Sequence, residues 1–272
     1  MGEEIPESCQ VVAWRPAVPV ISEVLHAHIV NYQYPAHCHD TWTVLIVDDG
    51  AISYTLDGRR HGAAPDTVTI LPPDVIHHGH PTERFGRFRK RNLYLDGDFL
   101  PAGLIGPAAD RPTIYDDELR AAISRLHDCL VAPEPLDVES RLVLIADRLR
   151  RTLAPAAFAV PEPDPSLARE LRTFLDDHST APVRLADAAV AFDRSVSHLV
   201  RSFHREFGIS PNAYLTGVRV EQARKRLLQG QPPARVAAEV GFHDQAHLNR
   251  HFKRHVSVPP GRYASSRPLG RV

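Results

Sequence analysis

Between residues 11 and 100 the chain consists of short apolar and β-branched runs separated by turn residues. The runs occupy residues 43–47, 51–56, 67–71 and 89–95. Asp57-Gly58 and Pro72-Pro73 close two of them, and both pairs are typical of turns between strands. Several short strands at such spacing predict an all-β barrel or sandwich over residues 1–112.

After residue 112 the apolar positions change to a helical period. Two stripes fall at i, i+4, i+7 and i+11, and Pro133 and Pro135 separate them. The stripes are Leu119, Ile123, Leu126 and Leu130, followed by Val138, Leu142, Ile145 and Leu149. They predict an antiparallel helical hairpin over residues 113–153. Its apolar seam could pack on the β domain or form a dimer interface.

Residues 154–165 carry four prolines and no apolar periodicity, which predicts a stiff linker. The charge also changes here. Residues 1–165 hold 15 basic and 24 acidic residues, a net charge of −9, whereas residues 166–272 hold 17 and 9, a net charge of +8. A basic C-terminal domain beside an acidic N-terminal one favours a polyanionic partner such as DNA.

Residues 166–272 contain an internal repeat. A shift of 49 positions superposes nine identical residues in order. They are Ala188 on Ala237, Ala189 on Ala238, His198 on His247, Leu199 on Leu248, Arg201 on Arg250, Phe203 on Phe252, Arg205 on Arg254, Pro211 on Pro260 and Tyr214 on Tyr263. Such an offset predicts a duplicated supersecondary unit.

Each copy has the pattern of a helix-turn-helix unit. A short alanine-rich helix, a turn and a second helix with basic and polar residues outward follow one another. Ser195 and Asp244 are the predicted N-caps of the two second helices, and Gly208 is the predicted C-terminal glycine of the first of these. Residues 211–229 predict one long helix that joins the copies.

Two recognition helices on one strut could enter successive major grooves of a DNA duplex. Arginines at equivalent places suit guanine, and Asn or Gln suits adenine. The predicted DNA-binding residues are Ser197, His198, Arg201, Arg205, Gln245, His247, Asn249, Arg250 and Lys253. The arginines could equally contact phosphates or form internal ion pairs.

The N-terminal domain carries two histidine clusters, His37-Cys38-His39 and residues 72–80 with His77, His78 and His80. The HxH followed by a Pro-x-x-x-x-His resembles the two motifs of the cupin superfamily over about 60 residues. The glutamate that a metal-binding cupin has after the HxH is replaced, with Thr43 and Val44 in its place. A metal on His37, His39 and His77 therefore ranks behind a metal-free pocket, and no cofactor is expected.

Residues 166–264 resemble the DNA-binding domain of the AraC/XylS transcriptional regulators. The resemblance rests on residues 199–203, 208–211, 214–215, 218–224, 227–228, 236–237, 240–242, 244–254 and 258–263. The first turn departs from the family pattern of glycine and an apolar residue, because it reads Asp193-Arg194. We therefore expect the first unit to sit differently or bind less tightly than the second.

The resemblance implies a cupin-like domain that binds an effector and dimerises, with the hairpin as the dimer contact. The candidate effector-binding residues are His37, His39, Trp42, Tyr54, His77, His78, Asn92 and Tyr94. For Trp42, Tyr54, Asn92 and Tyr94, which lie on candidate strands, packing in the core is the favoured alternative. The expected protein has an N-terminal all-β cupin-like barrel plus a helical hairpin. A linker over residues 154–165 leads to an all-α pair of helix-turn-helix units, joined by a long helix, over residues 166–272.

We thus expect an effector-controlled homodimeric regulator that binds double-stranded DNA and is not an enzyme. Cys9, Cys38 and Cys129 form no disulfide framework, the N-terminus lacks an apolar signal region, and no run reaches the roughly 18 apolar residues of a membrane span. A cytoplasmic location is expected. The alternatives are a metal-dependent cupin enzyme with an accessory DNA-binding domain, and a regulator that answers only to a protein partner.

Overall fold

The computed structural model describes residues 9–154 and 162–265, which belong to two compact units divided after Val160. Most of the predicted linker lies outside the described residues. The N-terminal unit contains two antiparallel sheets. One has the strand order β1-β2-β8-β3-β6-β9, and the other has the order β5-β4-β7. The strands are β1 (Gln10–Trp14), β2 (Ile21–Val30), β3 (Trp42–Gly50), β4 (Ile52–Leu56), β5 (Arg59–Ala63), β6 (Val68–Leu71), β7 (His77–Pro81), β8 (Arg87–Leu95) and β9 (Thr113–Ile114).

The two sheets form an open sandwich rather than a closed barrel, which is one of the two all-β arrangements predicted from the sequence. His37, in the segment before β3, forms an isolated β-bridge with His77 of β7. Just after the predicted boundary at residue 112, Thr113 and Ile114 form the short strand β9 beside β6. Sequence patterns could not show this, since a two-residue edge strand has no periodicity of its own.

The six-stranded sheet has two buried faces. One face, with Val44, Ile46 and Leu93, packs on the helices α2 (Asp117–Cys129) and α3 (Pro135–Leu153). The other, with Ala27, Leu45 and Phe88, faces the smaller sheet. A short helix α1 (Ile105–Asp110) precedes β9.

The predicted helical hairpin is confirmed as α2 and α3, and its seam is occupied. All eight residues of the two apolar stripes belong to the core shared with the sheet. Asp116 caps α2 by accepting from the Leu119 amide at 2.9 Å, and Arg148 of α3 pairs with the same carboxylate. A dimer contact through the seam itself is therefore excluded by the structure, and any contact must use the outward faces of the helices.

The C-terminal unit is all-α, as predicted. Its helices are α4 (Pro165–Asp177), α5 (Leu185–Ala191), α6 (Val196–Phe207), α7 (Pro211–Leu228), α8 (Pro233–Glu239), α9 (Gln245–Val256) and α10 (Pro260–Ala264). The long helix α7 packs against α4 and α6 on one side and against α8, α9 and α10 on the other. It therefore joins two small cores, as predicted for the long helix over residues 211–229.

Candidate DNA-binding surface and ligand pocket

Each predicted recognition helix begins at a side-chain cap. Ser195 accepts from the His198 amide at 3.2 Å, and Asp244 accepts from the His247 amide at 2.7 Å. Helix α6 ends at Gly208, whose φ of 71° is the left-handed conformation that glycine adopts freely. The helices α5–α6 and α8–α9 are thus the two predicted helix-turn-helix units.

The second recognition helix, α9, presents a polar face to solvent. Leu248 and Phe252 are fully buried against α7 and α8, which fixes the rotation of α9. Gln245, Arg250 and Lys253 are exposed as a result, and Asn249 is half-buried beside them. These four side chains offer two amides and two cations, the groups that recognise base edges and phosphates.

His247 lies at the side of α9 rather than on this polar face. Its ring contacts Phe242 at 5.1 Å and His251 at 4.7 Å between centroids. Its Nδ1 accepts from the backbone amide of His243 at 3.3 Å. The structure therefore gives His247, a predicted DNA contact, a packing position that holds the turn against the helix.

The first recognition helix, α6, has fewer polar groups on the equivalent face. Val200 occupies the position of Asn249 and is 0% exposed, because it packs in the first core. Arg201 is half-buried, whereas Arg205 is exposed and Ser197 is half-buried. The predicted DNA-binding residues of α6 are therefore only partly exposed to solvent.

His198 is held by the chain that leads into its own unit. Its ring Nε2 lies 3.2 Å from the carbonyl oxygen of Glu162. One turn further along α6, Ser202 Oγ accepts from the Asp164 amide at 3.0 Å. The structure thus places His198, another predicted DNA contact, against residues 162–164.

The turns of the two units differ by one residue. Helices α5 and α8 correspond at an offset of 48, whereas α6 and α9 correspond at 49. The same hydrogen bond ends both first helices, from the Arg194 amide to the Ala189 carbonyl and from the Phe242 amide to the Ala237 carbonyl, each at 3.0 Å. The sequence pairs Ala188–Ala237 and Ala189–Ala238 therefore do not correspond in space.

The left-handed residue of each turn is also different. In the first turn it is Asp193, with a φ of 50°, and in the second it is Gly241, with a φ of 88°. A Cβ on Gly241 would lie 2.7 Å from the carbonyl oxygen of Ser179, so only glycine fits there. The residue after it is Arg194 in the first turn, which is exposed, and Phe242 in the second, which is buried.

A cavity opens between the two sheets of the N-terminal unit, with a volume of about 90 Å³. Seven of the eight candidate effector-binding residues line it: His37, His39, Tyr54, His77, His78, Asn92 and Tyr94. The period-two geometry of strands explains part of this set, because Asn92 and Tyr94 lie on the same face of β8. Leu25, Leu45, Ile52 and Leu71 supply apolar walls.

Trp42 is the exception, and its prediction as a pocket residue is wrong. Its side chain is 0% exposed in the core between the larger sheet and the helices, and its Nε1 donates to the Gly97 carbonyl at 3.1 Å. Trp42 lies on the opposite face of β3 from Thr43, which lines the cavity. Because both faces of β3 are buried, its sequence has no alternation that would assign the faces.

Three histidines at the mouth of the cavity are fixed by backbone acceptors. The Nδ1 atoms of His37, His39 and His77 lie 2.8, 2.9 and 3.0 Å from the carbonyl oxygens of Pro35, Thr41 and Val75. A carbonyl can only accept, so each Nδ1 donates and each Nε2 is left as an acceptor in the neutral ring. Nε2 of His39 accordingly lies 3.1 Å from the hydroxyl of Thr43.

Burial keeps two of these rings neutral. It lowers the pKa of His77 to about 4 and lowers the pKa of His39 from its ordinary value. Within residues 9–154 no three His, Cys, Asp or Glu side chains bring ligand atoms within 4.8 Å of one another. As positioned, the three rings suit hydrogen bonds to a ligand better than a shared metal ion.

Two family models match separate parts of the chain. The AraC-like ligand binding domain matches residues 19–146, and a helix-turn-helix domain matches residues 188–266. The chain belongs to the AraC/XylS family of transcriptional regulators. The match to the first model also confirms the cupin-like character predicted for the N-terminal unit.

Relatives of the chain include two curated proteins and a solved domain. It is 28% identical to the uncharacterized HTH-type transcriptional regulator YbfI of Bacillus subtilis, covering 82% of this chain and 86% of that one. It is 22% identical to the HTH-type transcriptional activator RhaS of Escherichia fergusonii, covering 88% and 91%. The C-terminal domain of AraT from Geobacillus stearothermophilus is 28% identical, with 40% and 91% covered and a TM-score of 0.37.

This AraC/XylS family member has pocket residues that the motifs did not indicate. Tyr34, Lys90 and Thr69 line the cavity with the predicted residues. The alternation along β8 could have identified Lys90, because Phe88, Lys90, Asn92 and Tyr94 share one face. Lysines are usually exposed, so Lys90 was not expected to line a cavity.

Among the described helices, none is long and apolar enough to cross a bilayer.

Proposed function

We propose that this protein is a sequence-specific transcriptional regulator that binds DNA through α9 and α6 and is controlled by a small molecule in the N-terminal pocket. The polar face of α9 carries the proposal. Arg250 and Lys253 supply cations, and Gln245 and Asn249 supply amides, on a helix held by a cap and a buried core. Family membership supports the same function.

Within this proposal the two units have different tasks. The α9 face can hydrogen-bond to base edges, with Arg250 suited to guanine and Asn249 or Gln245 to adenine. The α6 face, with Val200 buried and His198 held by Glu162, is better suited to backbone contacts through Arg201 and Arg205. Sequence preference should therefore come mostly from the second unit.

The effector must bind the DNA-competent and DNA-incompetent states with different affinities, because only differential binding shifts an equilibrium. The cavity supports a small-molecule effector, since it combines apolar walls with convergent polar groups. A protein partner as the sole signal is the weaker alternative, because the cavity is not filled by its own side chains. A cytoplasmic location is part of the proposal, since the protein must reach DNA.

We also propose a homodimer, with contacts on the outward faces of the helical hairpin. Tyr115 and Val131, at the N-terminus of α2 and in the loop between the helices, are 77% and 78% exposed. Activation of transcription is proposed from RhaS, which is named an activator. Light scattering of the full-length protein and of Val131→Asp tests the dimer, which the substitution should weaken.

Selection of genomic fragments by the purified full-length protein tests the main proposal. Wild-type protein should enrich one or a few promoters, and Arg250→Ala should lose that enrichment. Arg84→Ala is the matched control, because it removes one exposed charge from the N-terminal unit. Equal enrichment of all fragments by the wild type, with and without small-molecule extracts, would contradict sequence-specific binding.

The competing enzymatic function predicts a bound metal. Metal analysis of the purified protein should find no stoichiometric ion that His37→Ala or His77→Ala removes. A stoichiometric metal lost in both variants would favour the metal-dependent enzyme and would require the three histidine rings to turn.

A further inference from the structure

Among the described residues that line the cavity, Lys90 is the one lysine or arginine. It lies on β8, in the middle of the larger sheet, with Ala27 and Val47 as its neighbours on the flanking strands. Both neighbours are buried and apolar. A lysine in this position is an unfavourable choice for stability alone, because its ammonium loses water without gaining an anionic partner among the described residues.

The ammonium of Lys90 contacts aromatic rings rather than a carboxylate. Its Nζ lies 4.5 Å from the ring centroid of Tyr34 and 5.8 Å from that of Phe88. The described part of the lining contains no aspartate or glutamate. Desolvation by burial lowers the pKa of Lys90 to about 8, and it is the one cause of that shift. The ammonium is therefore still charged at neutral pH, and the described lining gives it no counter-ion.

A second polar atom at the cavity is unsatisfied. Asn92 is 2% exposed, and its Nδ2 donates to the hydroxyl of Tyr94 at 3.2 Å. Its Oδ1 is buried and has no hydrogen-bond partner among the described residues. A buried carbonyl oxygen without a donor costs free energy, so this atom suits a hydroxyl or N–H group of a ligand.

We propose that the effector is a small organic monoanion, a carboxylic acid whose carboxylate pairs with Lys90 and whose hydroxyl or N–H group donates to Asn92 Oδ1. This inference rests on the proposed function, because it names the chemistry of the effector. The cavity of about 90 Å³ limits the ligand to fewer than about ten non-hydrogen atoms, since one water needs roughly 10–15 Å³.

The pocket disfavours the other small-molecule classes. A neutral sugar or polyol would leave the ammonium without a counter-ion between apolar walls. A dianion such as a phosphate ester would bring two charges to a single cation between apolar walls. A monoanionic acid satisfies both Lys90 and Asn92 and places its carbon skeleton against Leu25, Leu45 and Ile52.

Thermal shift and calorimetry on the full-length protein test the inference with two acids that fit this size limit, lactate and 3-hydroxybutyrate. Each acid is compared with its neutral amide. At least one acid should raise the melting temperature and its amide should not. Lys90→Met should lower the affinity for that acid about 10- to 100-fold, because this is the usual contribution of a hydrogen bond to a charged group. Arg89→Met is the matched control, because Arg89 is exposed, lies next to Lys90 on β8 and does not line the cavity.

Lys90→Gln provides a second test if the methionine variant folds poorly. Failure of both acids to stabilise the wild type would overturn the inference. Equal binding of acid and amide, or unchanged binding by the Lys90 variants, would also overturn it. Fragment selection with and without the bound acid separates the two proposals. Carboxylate binding that depends on Lys90, in a protein that enriches no promoter under either condition, would refute the regulator and keep the anion pocket.

Discussion

The two helix-turn-helix units share a plan and differ at the positions that decide what each can do. The second turn contains Gly241, which contacts backbone too closely for any side chain, and Phe242, which is buried in the core of its unit. The first turn is one residue shorter, and Asp193 and Arg194 take the corresponding places. The second recognition helix presents Asn249 where the first buries Val200.

This difference shows how a duplicated unit can keep its fold and divide its work. Both units retain a capped recognition helix and a buried Leu-Phe pair, which are needed for folding. Only the second retains a continuous polar face. We infer that the second unit selects sequence and that the first adds affinity and register.

The largest expected effect is on the second turn. Gly241→Ala should lower the free energy of unfolding of the C-terminal unit by about 2–4 kcal/mol, because it combines a left-handed φ with a steric overlap. Chemical denaturation measures it. Gly217→Ala is the matched control, since a Cβ there meets nothing within 4 Å and Gly217 lies inside α7. The control should stabilise the helix by about 0.5–1 kcal/mol. Equal losses in the two variants would show that the turn is not tight.

Exchanging the residues at the Val200 and Asn249 positions tests the comparison directly. Val200→Asn should destabilise by about 1–3 kcal/mol, because it buries an amide in an apolar core. Asn249→Val should leave stability nearly unchanged and relax base preference at the position that Asn249 contacts. Paired denaturation and binding assays measure both. If Asn249→Val costs as much stability as Val200→Asn, the two faces are equally buried and the comparison fails.

Arg250 and Arg201 should differ in their effect on binding. Arg250→Ala should cost about 1–3 kcal/mol on the preferred fragment, and that loss should depend on sequence. Arg201→Ala should weaken binding to all fragments by a similar factor and reduce its salt dependence. Titration at two salt concentrations measures both. A sequence-dependent loss in Arg201→Ala would give the first unit a role in base recognition.

The smallest expected effects come from left-handed residues that are not glycine. Asp193 in the first turn and Ser257 after α9 have φ values of 50° and 67°. Asp193→Gly and Ser257→Gly should each stabilise by up to about 1 kcal/mol, because glycine adopts this conformation without strain. Thermal denaturation measures the change. A loss of stability in Asp193→Gly would show that the aspartate side chain supports the turn.

Features that depend on a few adjacent residues could be predicted from the sequence, whereas features that depend on packing between distant segments could not. Ser195, Asp244 and Gly208 act as caps where predicted, because capping depends on a few adjacent residues. The sequence did not reveal the one-residue difference between the turns. Two pairs of alanines, Ala188 with Ala237 and Ala189 with Ala238, match at the same 49-residue offset as the recognition helices. Trp42 was misassigned because both faces of β3 are buried. Lys90 was missed because lysines are usually exposed, although the alternation along β8 places it on the same face as Asn92 and Tyr94.

The measurement that tests the central claim most directly is a scan of single base-pair changes across a selected fragment. Affinities of wild type, Arg201→Ala and Arg250→Ala for each changed fragment would be compared at fixed salt. We predict penalties of about 1–3 kcal/mol per changed pair, clustered in the half that α9 contacts and removed at one pair by Arg250→Ala. Equal penalties in both halves, with relaxation by Arg201→Ala as well, would contradict the division of work between the two units.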